Sequence, residues 1–246
     1  MSSIENRSVT YTHDGVEMVG FAAWDTERDG PRPVVLVVHE WWGCNDYARR
    51  RADMLAELGY VGFAVDLYGG GKNAGGPDEA GELMNALLED RSTLRGRFHA
   101  AMDAASAIEG ADSSKIAAIG YCMGGGVVLH MARTGSDLAA VASFHGALPL
   151  AIAKEGEQAE VTARMAVYHG EADEFITAED ASAFLEEVEK ARADCIFVLM
   201  PGATHGFTNP EATARGEKFG LPLRYSERAD RSSWDHMCLV LEAAFA

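Results

Sequence analysis

The sequence has few basic residues, no closely spaced pair of cysteines and no long apolar run. It has 21 Lys and Arg against 38 Asp and Glu, and the formal net charge of -17 argues against nucleic acid or an anionic membrane as a partner. Cys44, Cys122, Cys195 and Cys238 show neither a CxxC pair nor the spacing of metal ligands. No apolar stretch approaches membrane-spanning length, and the first residues lack the apolar core of a signal peptide. We therefore expect a cytoplasmic protein that needs no metal or cofactor.

Short apolar runs alternate with helix-like segments along the chain. The 246 residues are 48% hydrophobic, and we find no repeat, linker or second boundary, so residues 1–246 are expected to form a single domain. The alternation predicts an α/β fold, with a mostly parallel, doubly wound sheet of about eight strands and helices on both faces. Strands are predicted at Ser8–Tyr11, Glu17–Ala23, Val34–Val38, Val61–Val65, Ile116–Ile119, Ala139–Phe144, Met165–Tyr168 and Ile196–Leu199. Helices are predicted at Tyr47–Leu58, Asp78–Leu94, Phe98–Ile108, Val127–Arg133, Thr177–Ala191 and Ser226–Phe245.

A nucleophile is predicted in the stretch Ile116–Gly126. There a buried strand runs into Gly120-Tyr121-Cys122-Met123-Gly124, which is the nucleophile-elbow pattern with cysteine in place of serine. Small residues are needed two positions to either side, because larger side chains would collide in so tight a turn. Cys122 would then lie at the N-terminus of the next helix, where the helix dipole favours a thiolate. The alternative is a glycine-rich turn that carries a buried structural cysteine.

An acid and a histidine follow two later strands. Asp173 lies shortly after Met165–Tyr168, and His205 lies after the last predicted strand. Ligands of such sheets bind outside the carboxyl ends of the strands, and the order nucleophile, acid, histidine is that of α/β-hydrolases. His205 would be the base and Asp173 would orient it. The alternatives are an Asp173 that caps the helix beginning near Thr177 and a His205 that is a solvent-exposed loop residue.

Five motifs at the ends of predicted strands carry a family resemblance. They are His39-Glu40-x-x-Gly43, Asp66-Leu67-Tyr68, Gly120-Tyr121-Cys122-Met123-Gly124-Gly125, His169-Gly170-x-x-Asp173 and His205-Gly206-Phe207. Over nearly its full length, the chain resembles the dienelactone hydrolase family of α/β-hydrolases. The resemblance implies a catalytic triad of Cys122, His205 and Asp173. It implies that these residues hydrolyse a carboxylic ester or lactone, a small-molecule substrate, through a thioester acyl-enzyme.

The resemblance also implies roles for groups around the nucleophile. The backbone N–H groups of Met123 and Trp41 would form the oxyanion hole. Glu40 would hydrogen-bond the resting thiol of Cys122 and help to control its ionisation. Because a carboxylate disfavours a neighbouring thiolate, one hypothesis is that Glu40 keeps Cys122 unreactive until substrate arrives. The alternative is that Glu40 only anchors its loop to a backbone amide.

Six residues near the strand ends are candidates for substrate contacts: Trp42, Tyr68, Lys72, Phe175, Phe207 and Asn209. In dienelactone hydrolases proper, two arginines bind the substrate carboxylate. Asn209 stands at one of these positions here, and Lys72 lies in the other region. Neither residue reproduces the two-pronged hydrogen bonding of an arginine. The substrate is therefore open between a carboxylated dienelactone and a neutral ester, lactone or thioester.

Two other classes of function fit parts of the sequence. One is a non-hydrolytic ligand or redox sensor on the same fold that uses Cys122. The other is nucleotide binding by Gly69–Gly71 or Gly120–Gly126, although neither stretch matches a nucleotide-binding pattern. His39 and His169 are expected to be structural. No partner is identified from the sequence for the other histidines, which are His13, His99, His130, His145 and His236.

Overall fold

The computed structural model describes residues 3–152, 156 and 159–246, in which strands alternate with helices. The strands are β1 (Ile4–His13), β2 (Val16–Asp25), β3 (Arg32–Val38), β4 (Val61–Val65), β5 (Ala111–Tyr121), β6 (Ala140–Phe144), β7 (Arg164–Gly170) and β8 (Cys195–Met200). The helices are α1 (Asp46–Glu57), α2 (Pro77–Glu89), α3 (Arg91–Ser106), α4 (Met123–Arg133), α5 (Leu148–Ala151), α6 (Ala178–Ala191), α7 (Ala212–Phe219) and α8 (Glu227–Phe245). The described strands form one eight-stranded sheet in the order β1-β2-β4-β3-β5-β6-β7-β8. No helix in these residues is both long and apolar enough to cross a membrane.

Met1–Ala118 form the first of two compact units. β1 and β2 form an antiparallel hairpin, and Asp14 and Gly15 both have positive φ at its two-residue turn. β2 continues antiparallel to β4, and β4 runs parallel to β3. The apolar residues of β3 and β4 are almost completely buried, as expected for strands that are covered on both faces.

The predicted break between the second and third helices is wrong. The sequence placed helices at Asp78–Leu94 and Phe98–Ile108, whereas α2 ends at Glu89 and α3 begins at Arg91. The reason is Asp90, whose carboxylate accepts hydrogen bonds from the backbone N–H groups of Ser92 and Thr93. This contact makes Asp90 the N-cap of α3, so the chain starts a new helix where the apolar pattern continues without interruption.

Ile119–Ala246 form the second unit. β6, β7 and β8 run parallel to one another. Thr177 is the N-cap of α6, and Thr177 and Asp180 bond each other's backbone N–H groups in a capping box. α4 begins at Met123, four residues before the predicted start, because the glycines that follow the nucleophile are already helical.

Stacked aromatic rings lie in the core of this second unit. The ring centroids of Tyr121 and Phe144 are 4.9 Å apart, and those of Phe144 and Tyr168 are also 4.9 Å apart. These residues belong to β5, β6 and β7, so they pack the strands whose ends carry the candidate site. The eight-stranded, mostly parallel sheet with its alternating helices confirms the predicted α/β-hydrolase fold class.

Candidate active site

Cys122 lies in the turn between β5 and α4, as the elbow pattern predicts. Its backbone has φ 54° and ψ -118°, a left-handed conformation that strains a residue with a side chain, typically by about 1–3 kcal/mol. The turn is held by backbone hydrogen bonds. The carbonyl of Cys122 accepts from Gly125 at 3.1 Å and from Ala147 at 2.9 Å, and its N–H donates to the carbonyl of Phe144 at 3.1 Å. The strained backbone is therefore fixed from both sides.

Gly120 shows why the elbow needs small residues. A Cβ atom at this position would lie 2.1 Å from the carbonyl oxygen of Gly124, a distance that no real side chain occupies. Gly125 is equally confined, because a Cβ there would lie 2.6 Å from the Ser143 hydroxyl and 2.7 Å from the Gly146 Cα atom. These glycines let α4 begin immediately after Cys122 and pack closely on the chain that follows β6.

Asp173 and His205 form a buried hydrogen-bonded pair. The Nδ1 atom of His205 lies 2.8 Å from one carboxylate oxygen of Asp173. The other carboxylate oxygen accepts the backbone N–H groups of Phe175 at 2.9 Å and Ile176 at 3.0 Å. Burial raises the pKa of Asp173, but the hydrogen bond and charge of His205 together with these N–H groups outweigh burial and hold the pKa below its usual value. Asp173 is therefore a fixed carboxylate that both orients the histidine and closes the turn before α6.

His205 is a buried histidine whose pKa is raised. Burial alone would lower the pKa, but the interactions with Cys122 and the hydrogen bond and charge of Asp173 raise it to about 10. Because Nδ1 is bonded to Asp173, the contact with Cys122 falls to Nε2. The two ring nitrogens thus face a carboxylate and a sulfur, which is the arrangement of a nucleophile, a base and an orienting acid. His205 is only 5% exposed, so it is not the solvent-exposed loop histidine of the alternative interpretation.

His145 also contacts the nucleophile turn, a contact that the sequence did not reveal. The backbone N–H of Cys122 lies 3.2 Å from His145 Nδ1, and His145 Nε2 lies 2.7 Å from the hydroxyl of Thr208. A backbone N–H can only donate, so Nδ1 accepts and Nε2 carries the proton. His145 is fully buried, its φ is 40°, and its ring stands edge-on to the ring of His205 at 5.1 Å. It therefore connects the turn that carries Cys122 to the loop that carries His205.

Other candidate residues of this unit lie around the triad. Met123 is the first residue of α4, so its N–H lies at the positive end of that helix. Phe175 is 43% exposed, and its ring packs edge-on against His205 at 5.2 Å. Phe207 is fully buried, with its ring 5.1 Å from that of His145. Asn209 is 1% exposed, and its side-chain oxygen accepts the N–H of Glu211 at 3.0 Å. Only Phe175 among the last three presents much surface to a ligand.

His169 is buried near Asp173. Burial lowers its pKa, and its Nδ1 atom has no hydrogen-bond partner within the described residues. It packs with its ring 5.9 Å from that of Phe197. Across the described parts of the chain, no three or more histidine, cysteine or acidic side chains are grouped so that they could hold a metal ion.

In the first unit, the loop after β3 carries Glu40 and Trp41. Glu40 is 5% exposed. His39, beside it, accepts the N–H of Leu67 at Nε2 and therefore donates from Nδ1 to the carbonyl of Glu40 at 2.5 Å. Burial lowers the pKa of His39, so this histidine is neutral and holds two stretches of backbone together.

The loop after β4 carries the remaining candidates, Tyr68 and Lys72. The hydroxyl of Tyr68 donates to the carbonyl of Trp41 at 2.9 Å, and the N–H of Ala74 donates to the carbonyl of Trp42 at 2.9 Å. Trp42 is buried, whereas Lys72 is exposed. The two loops of this unit thus support each other.

Asp66 shapes the loop after β4. It is completely buried, and its two carboxylate oxygens accept four backbone N–H groups. These N–H groups belong to Val19, Tyr68, Gly69 and Gly71, at 2.8–2.9 Å. The structure thereby explains why the Asp-Leu-Tyr motif begins with aspartate: a carboxylate can accept all four hydrogen bonds.

Comparisons with known proteins agree on one family. The model of the dienelactone hydrolase family matches residues 19–245. Protein usf from Aquifex pyrophilus is 31% identical over 206 residues, which cover 82% of this chain and 86% of that protein. A relative from Aquifex aeolicus that is named as a carboxymethylenebutenolidase is 30% identical over the same shares of the two chains.

A solved structure extends the match to nearly the whole chain. It is the dienelactone hydrolase-like promiscuous phosphotriesterase P91 from metagenomic libraries. P91 is 33% identical and superposes with a TM-score of 0.92 over 99% of this chain and 100% of its own. With the family model, the curated relatives and the fold in agreement, the chain belongs to the dienelactone hydrolase family of ester-bond hydrolases.

Proposed function

We propose that the chain hydrolyses carboxylic esters or lactones with Cys122 as nucleophile, His205 as general acid and base, and Asp173 as the orienting acid. The observation that carries the proposal is the buried position of His205, which is hydrogen-bonded to Asp173 at 2.8 Å and whose pKa is raised by its interactions with Cys122 and Asp173. The carboxylate of Asp173 accepts a hydrogen bond from the Nδ1–H group of His205, so Nε2 is the nitrogen that exchanges a proton with sulfur or substrate.

The proposed reaction has two halves. The Cys122 thiolate attacks the carbonyl carbon, and the carbonyl electron pair moves onto oxygen as an oxyanion. When the oxyanion collapses, the C–O bond breaks, the leaving alkoxide takes the proton of His205 Nε2, and a thioester remains. His205, now neutral, takes a proton from water, whose oxygen attacks the thioester. Collapse expels the Cys122 thiolate and releases the carboxylic acid.

The oxyanion requires hydrogen-bond donors that are in place before reaction. The N–H of Met123, at the start of α4, suits this role because the helix N-terminus favours negative charge. The second donor, the N–H of Trp41, is proposed from the family resemblance alone. Removal of one such donor typically lowers kcat by about 10²–10³-fold.

A role for Glu40 in restraining Cys122 is likewise proposed from the resemblance. If Glu40 restrains the thiol, Glu40→Gln will raise the rate at which iodoacetamide alkylates Cys122, and a substrate analogue will raise it in the wild type. Equal rates in wild type and Glu40→Gln, with and without the analogue, would leave Glu40 only its anchoring role.

We propose a neutral ester, lactone or thioester as the substrate class. Asn209 is only 1% exposed, so it presents almost no surface to a substrate carboxylate. Lys72 is exposed and supplies at most a single point charge. A phosphotriester is the second candidate class, because the P91 protein, which is 33% identical, is named a promiscuous phosphotriesterase.

The proposed setting is the cytoplasm, with residues 1–246 acting as one domain. All four cysteines are free, which suits a reducing compartment. The alternative function, a sensor that uses Cys122 without turnover, predicts ligand binding in the absence of hydrolysis.

The decisive experiment is a substrate panel run on the wild type and Cys122→Ala. The panel contains p-nitrophenyl acetate, a carboxylated dienelactone and a nitrophenyl phosphotriester, and mass spectrometry of the quenched protein seeks an acyl adduct. We expect turnover of the neutral ester and an adduct on Cys122, both lost in Cys122→Ala. Activity that survives the substitution would mean a different nucleophile. An inactive wild type that is nevertheless stabilised by ligands against heat would favour the sensor.

A further inference from the structure

The terminal strand β8 is an apolar sheet edge. Its sequence is Cys-Ile-Phe-Val-Leu-Met, and it is last in the strand order, so within the described residues one row of its backbone groups faces no other strand. Ile196 is 40% exposed and Leu199 is 50% exposed. An exposed, apolar edge strand is a template for pairing with another chain, and soluble proteins normally protect such edges with charged side chains or proline.

β1, the strand at the other end of the order, has that protection. Its sequence from Ile4 to His13 includes Glu5, Arg7 and His13 together with several polar residues. β8 has no charged residue and no proline among its six positions. The difference indicates that the edge of β8 is covered in the working protein.

Two grooves flank β8 on opposite faces. One, of about 320 Å³, lies between Phe197 and Leu199 of β8 and α6, where Leu185 is 40% exposed. The other, of about 360 Å³, lies between Val198 and Met200 of β8 and the first turns of α8. An added strand would place its alternate side chains into these two grooves, as strand addition requires.

The charges at the two ends of β8 suit a second copy of this chain. Asp194 precedes the strand, is 60% exposed and pairs with Arg164 of its own chain at 2.9 Å, which leaves room on the carboxylate for a second donor, and Arg228 donates a hydrogen bond to the carbonyl of Pro201 just beyond the other end. A two-fold axis perpendicular to the sheet makes two copies of β8 antiparallel, which brings Asp194 of each copy to the end that carries Arg228 of the other. Each copy carries a net charge of -17, so two copies repel each other in general. Because β8 itself has no charged residue, pairing through β8 brings no like charges of the strand together.

We propose that β8 pairs with β8 of a second copy of this chain in antiparallel orientation, so that one continuous sheet runs through a dimer. Sedimentation velocity at about 1 to 100 µM covers association of micromolar strength. The wild type is expected to sediment as a dimer. Leu199→Lys is expected to raise the dissociation constant at least about 100-fold, because the pairing would bury an unpartnered charge. Leu58→Lys, which changes a residue of similar exposure (42%) at the end of α1, is the matched control and is expected to remain dimeric.

A charge exchange tests the orientation of the pairing. Asp194→Arg and Arg228→Asp should each weaken the dimer, and the double variant should restore it. Circular dichroism of each variant shows that it is folded. A monomeric wild type over the whole concentration range would overturn the proposal, as would a Leu199→Lys variant that stays dimeric. A dimer in which the charge exchange gives no restoration would overturn the antiparallel pairing.

Discussion

Two buried histidines, one in each unit, have opposite electrostatic surroundings. His39, after β3, bonds the backbone of Glu40 and Leu67 through its ring nitrogens, and burial lowers its pKa more than the bond to Glu40 and the charge of Asp66 raise it. His205, after β8, is equally hidden from solvent, yet its pKa is raised to about 10 because Cys122 and Asp173 face it. Burial alone makes a histidine neutral, and only charged partners make it an imidazolium. The comparison separates a histidine that holds backbone together from one that can move a proton.

The largest expected effect is the loss of the sulfur that faces His205. Cys122→Ala should lower kcat/KM for a neutral ester by at least about 10⁴-fold, since removal of a triad nucleophile leaves only binding and oxyanion stabilisation. Steady-state kinetics measures the loss. Cys238→Ala, at a cysteine of α8, is the control and should keep wild-type activity. Similar activity in Cys122→Ala would show that His205 serves another nucleophile.

Asp173→Asn should have the next largest effect. The amide cannot supply the negative charge that supports the imidazolium, so kcat should fall by about 10³–10⁴-fold while KM changes little. The control is Glu171→Gln, which alters an exposed carboxylate two residues away that only bonds the N–H of Gly202. A variant of Asp173 that loses no more activity than the Glu171 control would remove Asp173 from the triad.

His145 should show a smaller effect, because it acts through the position of Cys122. His145→Ala removes one of the two acceptors of the Cys122 N–H, and the loss of one hydrogen bond of about 1.4 kcal/mol corresponds to about tenfold in kcat. His145→Asn keeps an acceptor and tolerates the left-handed backbone, so it should recover part of the loss. KM and the pH profile should stay as in the wild type. A changed pH profile would instead mean that His145 exchanges protons during catalysis.

His39 should affect stability and leave the acid–base chemistry unchanged. His39→Leu leaves the N–H of Leu67 and the carbonyl of Glu40 unpaired, which should lower the free energy of unfolding by about 1–3 kcal/mol. Urea unfolding measures this change, and the pH dependence of hydrolysis should match that of the wild type. A shifted pH dependence would mean that His39 also influences proton transfer and does not only hold the backbone together.

Much of the site could be predicted because its signals are local. The crowding at Gly120 restricts the sequence of the elbow, and the ends of parallel strands meet at one edge of a sheet, so Cys122, Asp173 and His205 could be expected together. Their contacts in the structure agree with that expectation, although their catalytic roles stay a prediction.

What could not be predicted depends on contacts between distant residues or on backbone conformation. His145 reaches Cys122 only because the chain turns through a left-handed residue after β6, and no spacing in the sequence reports that turn. Asp90 divides two helices through a local cap that apolar periodicity does not register. Asn209 was a candidate for substrate contact, and nothing in its motif shows that its oxygen is engaged by Glu211.

The measurement that tests the account most directly is an NMR titration of the histidine ring protons, with His205 assigned through His205→Gln. Linkage fixes the sign: a pKa raised from 6.5 to about 10 means that protonation of His205 stabilises the fold fully below pH 6.5 and progressively less as pH rises to about 10. We predict that His205 stays protonated at pH 8 in the wild type and becomes neutral there in Cys122→Ser, while His39 is neutral at pH 8 in both. A His205 that is neutral at pH 8 in the wild type would contradict the charged pairing of His205 with Cys122 and would leave Cys122 as the resting thiol of the Glu40 hypothesis.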